Sequence, residues 1–166
     1  MMRIIVMGVS GSGKTSVGVA IAEALNLPFL EGDTLHPASN VEKMAAGISL
    51  SDDDRWPWLD KIGAELAEAK NGLVVSCSAL KISYRKRLRE KANGPLAFIF
   101  LDGNLDVLRS HMSKRTGHFM PVSMLDSQVA TLEVPTGEPL VFRQDVKDSI
   151  DQIVDASVDW LRGTLT

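Results

Sequence analysis

Gly8, Val9, Ser10, Gly11, Ser12, Gly13, Lys14 and Thr15 satisfy the pattern G-x-x-x-x-G-K-[ST] at every position. Glycines at these places free the backbone for a tight turn in which successive N–H groups converge on phosphate oxygens. A helix that starts inside the motif brings its positive end to the same spot. Lys14 then reaches the β- and γ-phosphates, and the Thr15 hydroxyl serves a Mg2+ ion. The expected ligand is a purine nucleoside triphosphate; an incidental glycine-rich turn is the plain alternative. The motif leaves the reaction open, since GTPases, ATPases, translocases and small-molecule kinases all use it. No N-K-x-D guanine reader occurs in the sequence, and motor ATPases normally need more chain. A small-molecule kinase is therefore favoured.

Three further stretches carry chemistry for an acceptor. The first is Glu31-Gly32-Asp33-Thr34-Leu35-His36-Pro37. In an open α/β sheet the carboxyl ends of the strands gather on the ligand side. Asp33 could there orient or deprotonate an acceptor hydroxyl, or hold Mg2+ through water; a turn or cap carboxylate is the alternative. His36 reads as a substrate contact or as support for the turn. The second stretch is Asp52-Asp53-Asp54-Arg55-Trp56-Pro57-Trp58. Arg55 can pair bidentately with a substrate carboxylate, or internally with one of the aspartates. Consecutive acids on a helix point in different directions, which argues against a metal cluster there.

The third stretch places six basic residues between Lys81 and Lys91. Lys81 or Arg85 could serve an anionic small molecule, with the other cations solvated. An ordinary exposed face and a nucleic-acid contact are the alternatives, the latter weakened because Tyr84 is the only aromatic there. Further on, Lys114, Arg115, Gly117 and His118 lead into a long irregular segment. Arg115 on a closing segment could offset charge on a moving phosphoryl group, and closure would exclude water. An exposed basic turn, with His118 bonded to backbone, is the plain reading.

These groups need a scaffold that delivers them to one edge. Residues 3–7 form a nearly unbroken apolar run stopped by Gly8, as in a strand covered on both faces. Residues 29–30, 73–77, 96–101 and 140–143 read as four more strands. Helices are expected over residues 14–25, 40–50, 52–69, 81–92, 104–115, 122–132 and 146–161. Asn40 would cap the second of these, with Met44 and Ala45 facing inward. Trp58, Ile62, Leu66 and Ala69 would form the apolar face of the third, while Trp56 is less regular and suits a pocket wall. In the last helix Val146, Ile150, Ile153, Val154, Val158 and Leu161 share one face, and Asp148, Asp151, Asp155 and Asp159 face solvent. The alternation predicts an α/β, three-layer architecture with a central, mostly parallel five-stranded sheet. Residues 116–140 are too long and too rich in Gly and Pro for a plain connection, and suit a lid or binding loop.

With 166 residues, 45% hydrophobic and 23% charged, the chain reads as a single domain over 1–166 with one real core. The formal charge of -3 lacks the basic excess of a general nucleic-acid binder, though an average does not exclude a local patch. One cysteine, Cys77, excludes an intrachain disulfide framework and a multi-cysteine zinc site, and its apolar neighbours suggest a buried thiol. No apolar stretch approaches a bilayer span, and little chain precedes Gly8 for a removable targeting segment. A cytoplasmic protein with no membrane and no nucleic-acid partner is the expectation.

Taken together, the motifs resemble the bacterial-type gluconate kinases. The stretches that carry the resemblance are MGVSGSGKT ending at Thr15, GDTLHP from Gly32, residues 40–45, LSDDDRWPWL from Leu50, and SCSALK from Ser76. Tyr84-Arg85, Leu88-Arg89, GHFMP from Gly117, Ser127-Gln128 and Leu132-Glu133 complete them, in order over nearly the whole chain. The phosphate loop is widely shared, whereas the other motifs in combination are specific. The resemblance implies a P-loop kinase fold like that of nucleoside monophosphate and shikimate kinases, usually dimeric. It implies transfer from ATP, with Mg2+, to the 6-hydroxyl of D-gluconate; another small hydroxy acid, such as shikimate or a different aldonate, is the runner-up. An acceptor-binding segment at about 33–60 and a lid at about 112–135 would be embedded. Residues 8–15 would cradle ATP, and Asp33 would face the acceptor and the metal with Thr15. Lys14, Asp33 and Arg115 would carry catalysis. His36, Arg55, Lys81, Arg85 and His118 would serve the sugar-acid pocket or its lid. Two positions depart from the family: His111 stands where an Arg is common, and Val129 where a Phe is usual. The first exchanges a permanent cation for a group whose charge depends on pH.

Overall fold

Strand β1 (Met2–Met7) is the centre of the sheet, because Ile4, Ile5, Val6 and Met7 bury apolar side chains on both faces. In this computed structural model, which describes residues 1–113 and 123–165, the strand order is β2-β3-β1-β4-β5. The other strands are β2 (Phe29–Glu31), β3 (Gly72–Ser76), β4 (Ala97–Asp102) and β5 (Val141–Asp145). Every pairing is parallel. Helices α1 (Lys14–Leu25), α2 (Ala38–Ala45), α3 (Asp52–Glu68), α4 (Ile82–Ala92), α5 (Leu105–Ser113), α6 (Ser123–Thr131) and α7 (Ile150–Leu165) connect or follow them, with a 3-10 turn at Gly32–Leu35.

Period-two alternation splits the core into two layers. Ile5, Met7, Val75, Phe98 and Phe100 point to one face, where α3 contributes Trp58, Leu59, Ile62 and Leu66, and α4 contributes Tyr84 and Leu88. Ile4, Val6, Val74, Ile99 and Leu101 point to the other, against Val17 and Ile21 of α1 and Ile153, Val158 and Leu161 of α7. This is the expected three-layer α/β arrangement. Cys77 is buried, and burial pushes its thiol pKa up to about 12.

Three local expectations change. Helix α2 begins at Ala38, so Asn40 lies inside its first turn and is buried rather than capping. Met44 faces inward as expected, but Ala45 is exposed. The last helix begins four residues later than expected, at Ile150. Ser149 and Gln152 exchange side-chain-to-backbone hydrogen bonds of 3.1 and 3.0 Å across its first turn, a reciprocal cap that sets the start. Val146 is therefore buried in the preceding connection, and Ile150 stays 47% exposed beside the phosphate loop. Asp148, Asp151, Asp155 and Asp159 are exposed as expected.

Candidate active site

Parallel register brings three strand ends together: Val6 and Glu31 both pair with Ser76. The segments that leave these strands therefore open on the same edge of the sheet. After β1 comes the glycine-rich loop. Gly11 has φ 81°, and a Cβ there would lie 2.6 Å from the Leu108 carbonyl oxygen, so α5 packs directly beneath the loop. Gly13, at φ 91°, faces open space at the start of α1. Lys14 lies back over the loop, its Nζ donating to the Val9 carbonyl at 3.1 Å. Gln128 of α6 accepts from both the N–H and the hydroxyl of Ser10, at 2.8 and 3.1 Å. That contact ties α6 to the loop across 118 residues of sequence.

Glu31, the last residue of β2, was not singled out by its sequence context. Its carboxylate accepts from the Thr15 hydroxyl at one oxygen and from the Ser76 hydroxyl, at 2.5 Å, at the other. An acid at the end of the strand that follows α1 was the available signal; its contact with Thr15 needed the β2–β3–β1 order. A hydroxyl already paired with a carboxylate is a suitable Mg2+ position, because that ion takes few protein oxygens beside phosphates and waters. Among the described residues no cluster of three or more His, Cys, Asp or Glu forms a closed metal cage.

Gly32 has no room for a side chain, since a Cβ would meet the Ser76 carbonyl oxygen at 2.1 Å. The 3-10 turn it starts presents Asp33, whose side chain is 29% exposed. His36 follows with its side chain 3% exposed and its Nε2 4.0 Å from Asp33 Oδ1. The ring stacks on Trp58 at 4.0 Å between centroids, and Trp58 donates its Nε1–H to the Gly32 carbonyl at 2.8 Å. Burial, and then the Arg55 charge, pull the His36 pKa down to about 4. His36 is therefore neutral near pH 7 and mostly withdrawn from solvent.

Arg55 and Lys81 meet around Tyr84. Arg55 donates to the Tyr84 hydroxyl at 2.8 Å, and that hydroxyl donates to Asp52. Lys81 pairs with the same Asp52 at 3.0 Å. Hydrogen bonds from Tyr84 and then Lys81 hold the Asp52 carboxyl below the usual carboxylate range. The two cations border an open cleft of about 590 Å³ between the start of α3 and the end of α6. Trp56 is half-buried between α3 and α4, edge-on to Tyr84 with the Arg87 guanidinium over its ring.

Arg85 is the clearest correction. It was expected in the acceptor pocket, yet its side chain is fully buried. Its guanidinium binds Glu138 in a fork at 2.7 and 2.9 Å. It also donates to the carbonyls of Ala79 and Glu133, both at 2.7 Å. Four of its five N–H groups are engaged in these bonds, three of them anchoring residues 133–138 to α4. Arg115 and His118 lie outside the described residues, as do the other residues from 114 to 122. A second cleft, of about 440 Å³, opens beside the phosphate loop. Val146, Ile150 and Ile153 give it an apolar side, and His111 closes it. The His111 Nδ1–H donates to the Gly11 carbonyl at 2.9 Å, so this ring braces the loop from α5.

Residues 4–135 match a family model described as "AAA domain". A gluconokinase from Gluconobacter oxydans (strain 621H) is 45% identical over 155 residues, covering 92% of this chain and 86% of that protein. The crystal structure of a gluconokinase from Sinorhizobium meliloti 1021 is 56% identical, with a TM-score of 0.90, covering 98% of this chain and 92% of the other. The chain belongs to the gluconokinase family. Shikimate kinase from Aquifex aeolicus vf5 shares the fold at a TM-score of 0.63, covering 99% of this chain and 98% of the other, with only 16% identity. Membership of the gluconokinase family makes the chain a kinase and confirms the expected P-loop kinase fold. Among the described residues, no helix is long and apolar enough to cross a membrane.

Proposed function

We propose that the chain transfers the γ-phosphoryl group of ATP to the 6-hydroxyl of D-gluconate, giving 6-phosphogluconate and ADP. The observation that carries this reading is the convergence, on one sheet edge of a gluconokinase-family chain, of the Lys14–Thr15 loop end and the Asp33 turn. Loop N–H groups and Lys14 would hold the phosphates, and the apolar side of the second cleft suits the purine ring. Thr15, with Glu31 behind it, would hold Mg2+, which when bound neutralises charge on the β- and γ-phosphate oxygens.

The hydroxyl oxygen attacks the γ-phosphorus in line, the bond to the β,γ-bridging oxygen breaks, and Asp33 receives the hydroxyl proton. Arg55 and Lys81 offer fixed positive charge to the carboxylate at the far end of the sugar acid. The family resemblance assigns Arg115 and His118 to the lid, with Arg115 offsetting charge on the group in transfer. The embedded acceptor segment at about 33–60 and lid at about 112–135, a cytoplasmic setting and a homodimer remain part of this proposal. ADP release measured with D-gluconate, other aldonates and shikimate tests it. D-Gluconate should give the highest kcat/KM; a preference for shikimate would overturn the acceptor assignment.

A further inference from the structure

Asn40 sits in the first turn of α2 and is 1% exposed. Its amide nitrogen donates to the main-chain oxygen of Asp54 at 2.9 Å and lies 3.2 Å from Nδ1 of His36. A carbonyl oxygen only accepts, so the Asp54 contact fixes which end of the amide is NH2. The same nitrogen gives its second hydrogen to His36, whose Nδ1 must be the bare, accepting atom. The proton of the neutral ring then sits on Nε2, the atom that faces Asp33 at 4.0 Å. The stack on Trp58, itself pinned to the Gly32 carbonyl, prevents the ring from turning another edge toward Asp33.

We propose that Asn40 is a positioning residue of the acceptor site: it fixes His36 as the Nε2–H tautomer, so that a neutral donor faces Asp33. This inference rests on the reading of Asp33 as the residue that receives the acceptor hydroxyl. A gap of 4.0 Å is too long for a direct hydrogen bond. It suits one bridging oxygen, from water or an acceptor hydroxyl, that accepts from Nε2 and donates to Asp33. The opposite tautomer would set a lone pair against the carboxylate and repel it. A cationic ring would pair with Asp33 and weaken it as a base. The buried surroundings of His36 and the nearby Arg55 keep the ring neutral, in agreement with the geometry.

Ring-nitrogen NMR of the intact, uniformly 15N-labelled protein at pH 7.5 reads the tautomer directly. The chain has three histidines, and His36→Gln identifies the relevant signals by their loss. A protonated Nε2 with a bare Nδ1 is expected; a protonated Nδ1 overturns the inference. Turnover supplies the second arm. His36→Gln restores an N–H near the Nε2 position without a tautomer to set, and should keep kcat within about 5-fold of wild type. His36→Phe keeps the stack without the donor and should lose about 100-fold in kcat, with the KM for ATP nearly unchanged. Equal losses in these two variants overturn the inference. Asn40→Asp replaces the donor by an acceptor, draws the proton to Nδ1, and should also lower kcat. Asn40→Asp also loses the bond to the Asp54 carbonyl and so lowers Tm in either background. In the His36→Gln background, however, it should cost no further kcat at a temperature where the protein is folded. An additive loss of kcat there would overturn the positioning role. If Asn40→Asp does not fold, the spectrum and the two His36 variants decide. Full turnover in Asp33→Asn would remove the Asp33 reading without altering the ring spectrum, so the two failures are distinguishable.

Discussion

Arg85→Met separates a buried anchor from a substrate-binding cation. The substitution keeps much of the side-chain length and removes the charge. It strips Glu138 of its two-pronged partner and leaves the Ala79 and Glu133 carbonyls without that donor. Breaking one side of a buried ion pair costs about 3–5 kcal/mol. Arg89, 3.0 Å from Glu138, still compensates part of the carboxylate charge, which places the loss toward about 3 kcal/mol. For a chain of this size that corresponds to a Tm lower by roughly 10 °C. Burial pushes the Glu138 carboxyl up, but hydrogen bonds and charge from Arg85 and Arg89 outweigh it and hold the net pKa below normal. The stabilisation is thus present above the ordinary carboxylate range and is lost as pH falls through the lowered value. Thermal melts of wild type and Arg85→Met should converge on acidification. At a temperature where the variant is folded, the KM for D-gluconate should stay within about 2-fold of wild type, since Arg85 lies outside the cleft. An unchanged Tm with a tenfold higher gluconate KM would refute the reasoning and return Arg85 to the pocket.

Lys14→Ala should abolish turnover while leaving the circular dichroism spectrum and Tm close to wild type; normal activity would remove the phosphate loop from the mechanism. Asp33→Asn should lower kcat by about 100-fold or more with ATP affinity nearly unchanged, as measured by turnover alongside nucleotide titration. Cys77 is buried and its thiol is pushed up to about 12, so native protein should resist a thiol-specific reagent at pH 8 and react only on unfolding. Fast modification of the native state would show that this strand end opens readily.

Much of this structure arises from short-range patterns. The apolar runs that became the strands need no knowledge of their neighbours, and the phosphate loop brings its own conformation through Gly11 and Gly13. Asp33 and His36 come directly after a strand, so the general placement of ligands in α/β sheets located them. Arg85 was different, because Lys81 and Arg85 are one helical turn apart and equally basic in sequence. Only the return of Glu133 and Glu138 over α4 buries one and leaves the other at the cleft. Glu31 was obscured for a related reason: its partner Thr15 is 16 residues away and meets it only through strand order. Ile150 fitted the apolar face of a helix, but the Ser149–Gln152 cap started that helix later and left Ile150 at the second cleft. Helical periodicity finds a face without locating the end.

The central claim concerns which bond is made, and product NMR tests it most directly. After incubation with ATP, Mg2+ and D-gluconate, the 31P signal of the product should be a phosphate monoester coupled to the two hydrogens on carbon 6. Phosphate on another hydroxyl, or no ATP-dependent product from D-gluconate, would contradict the assignment.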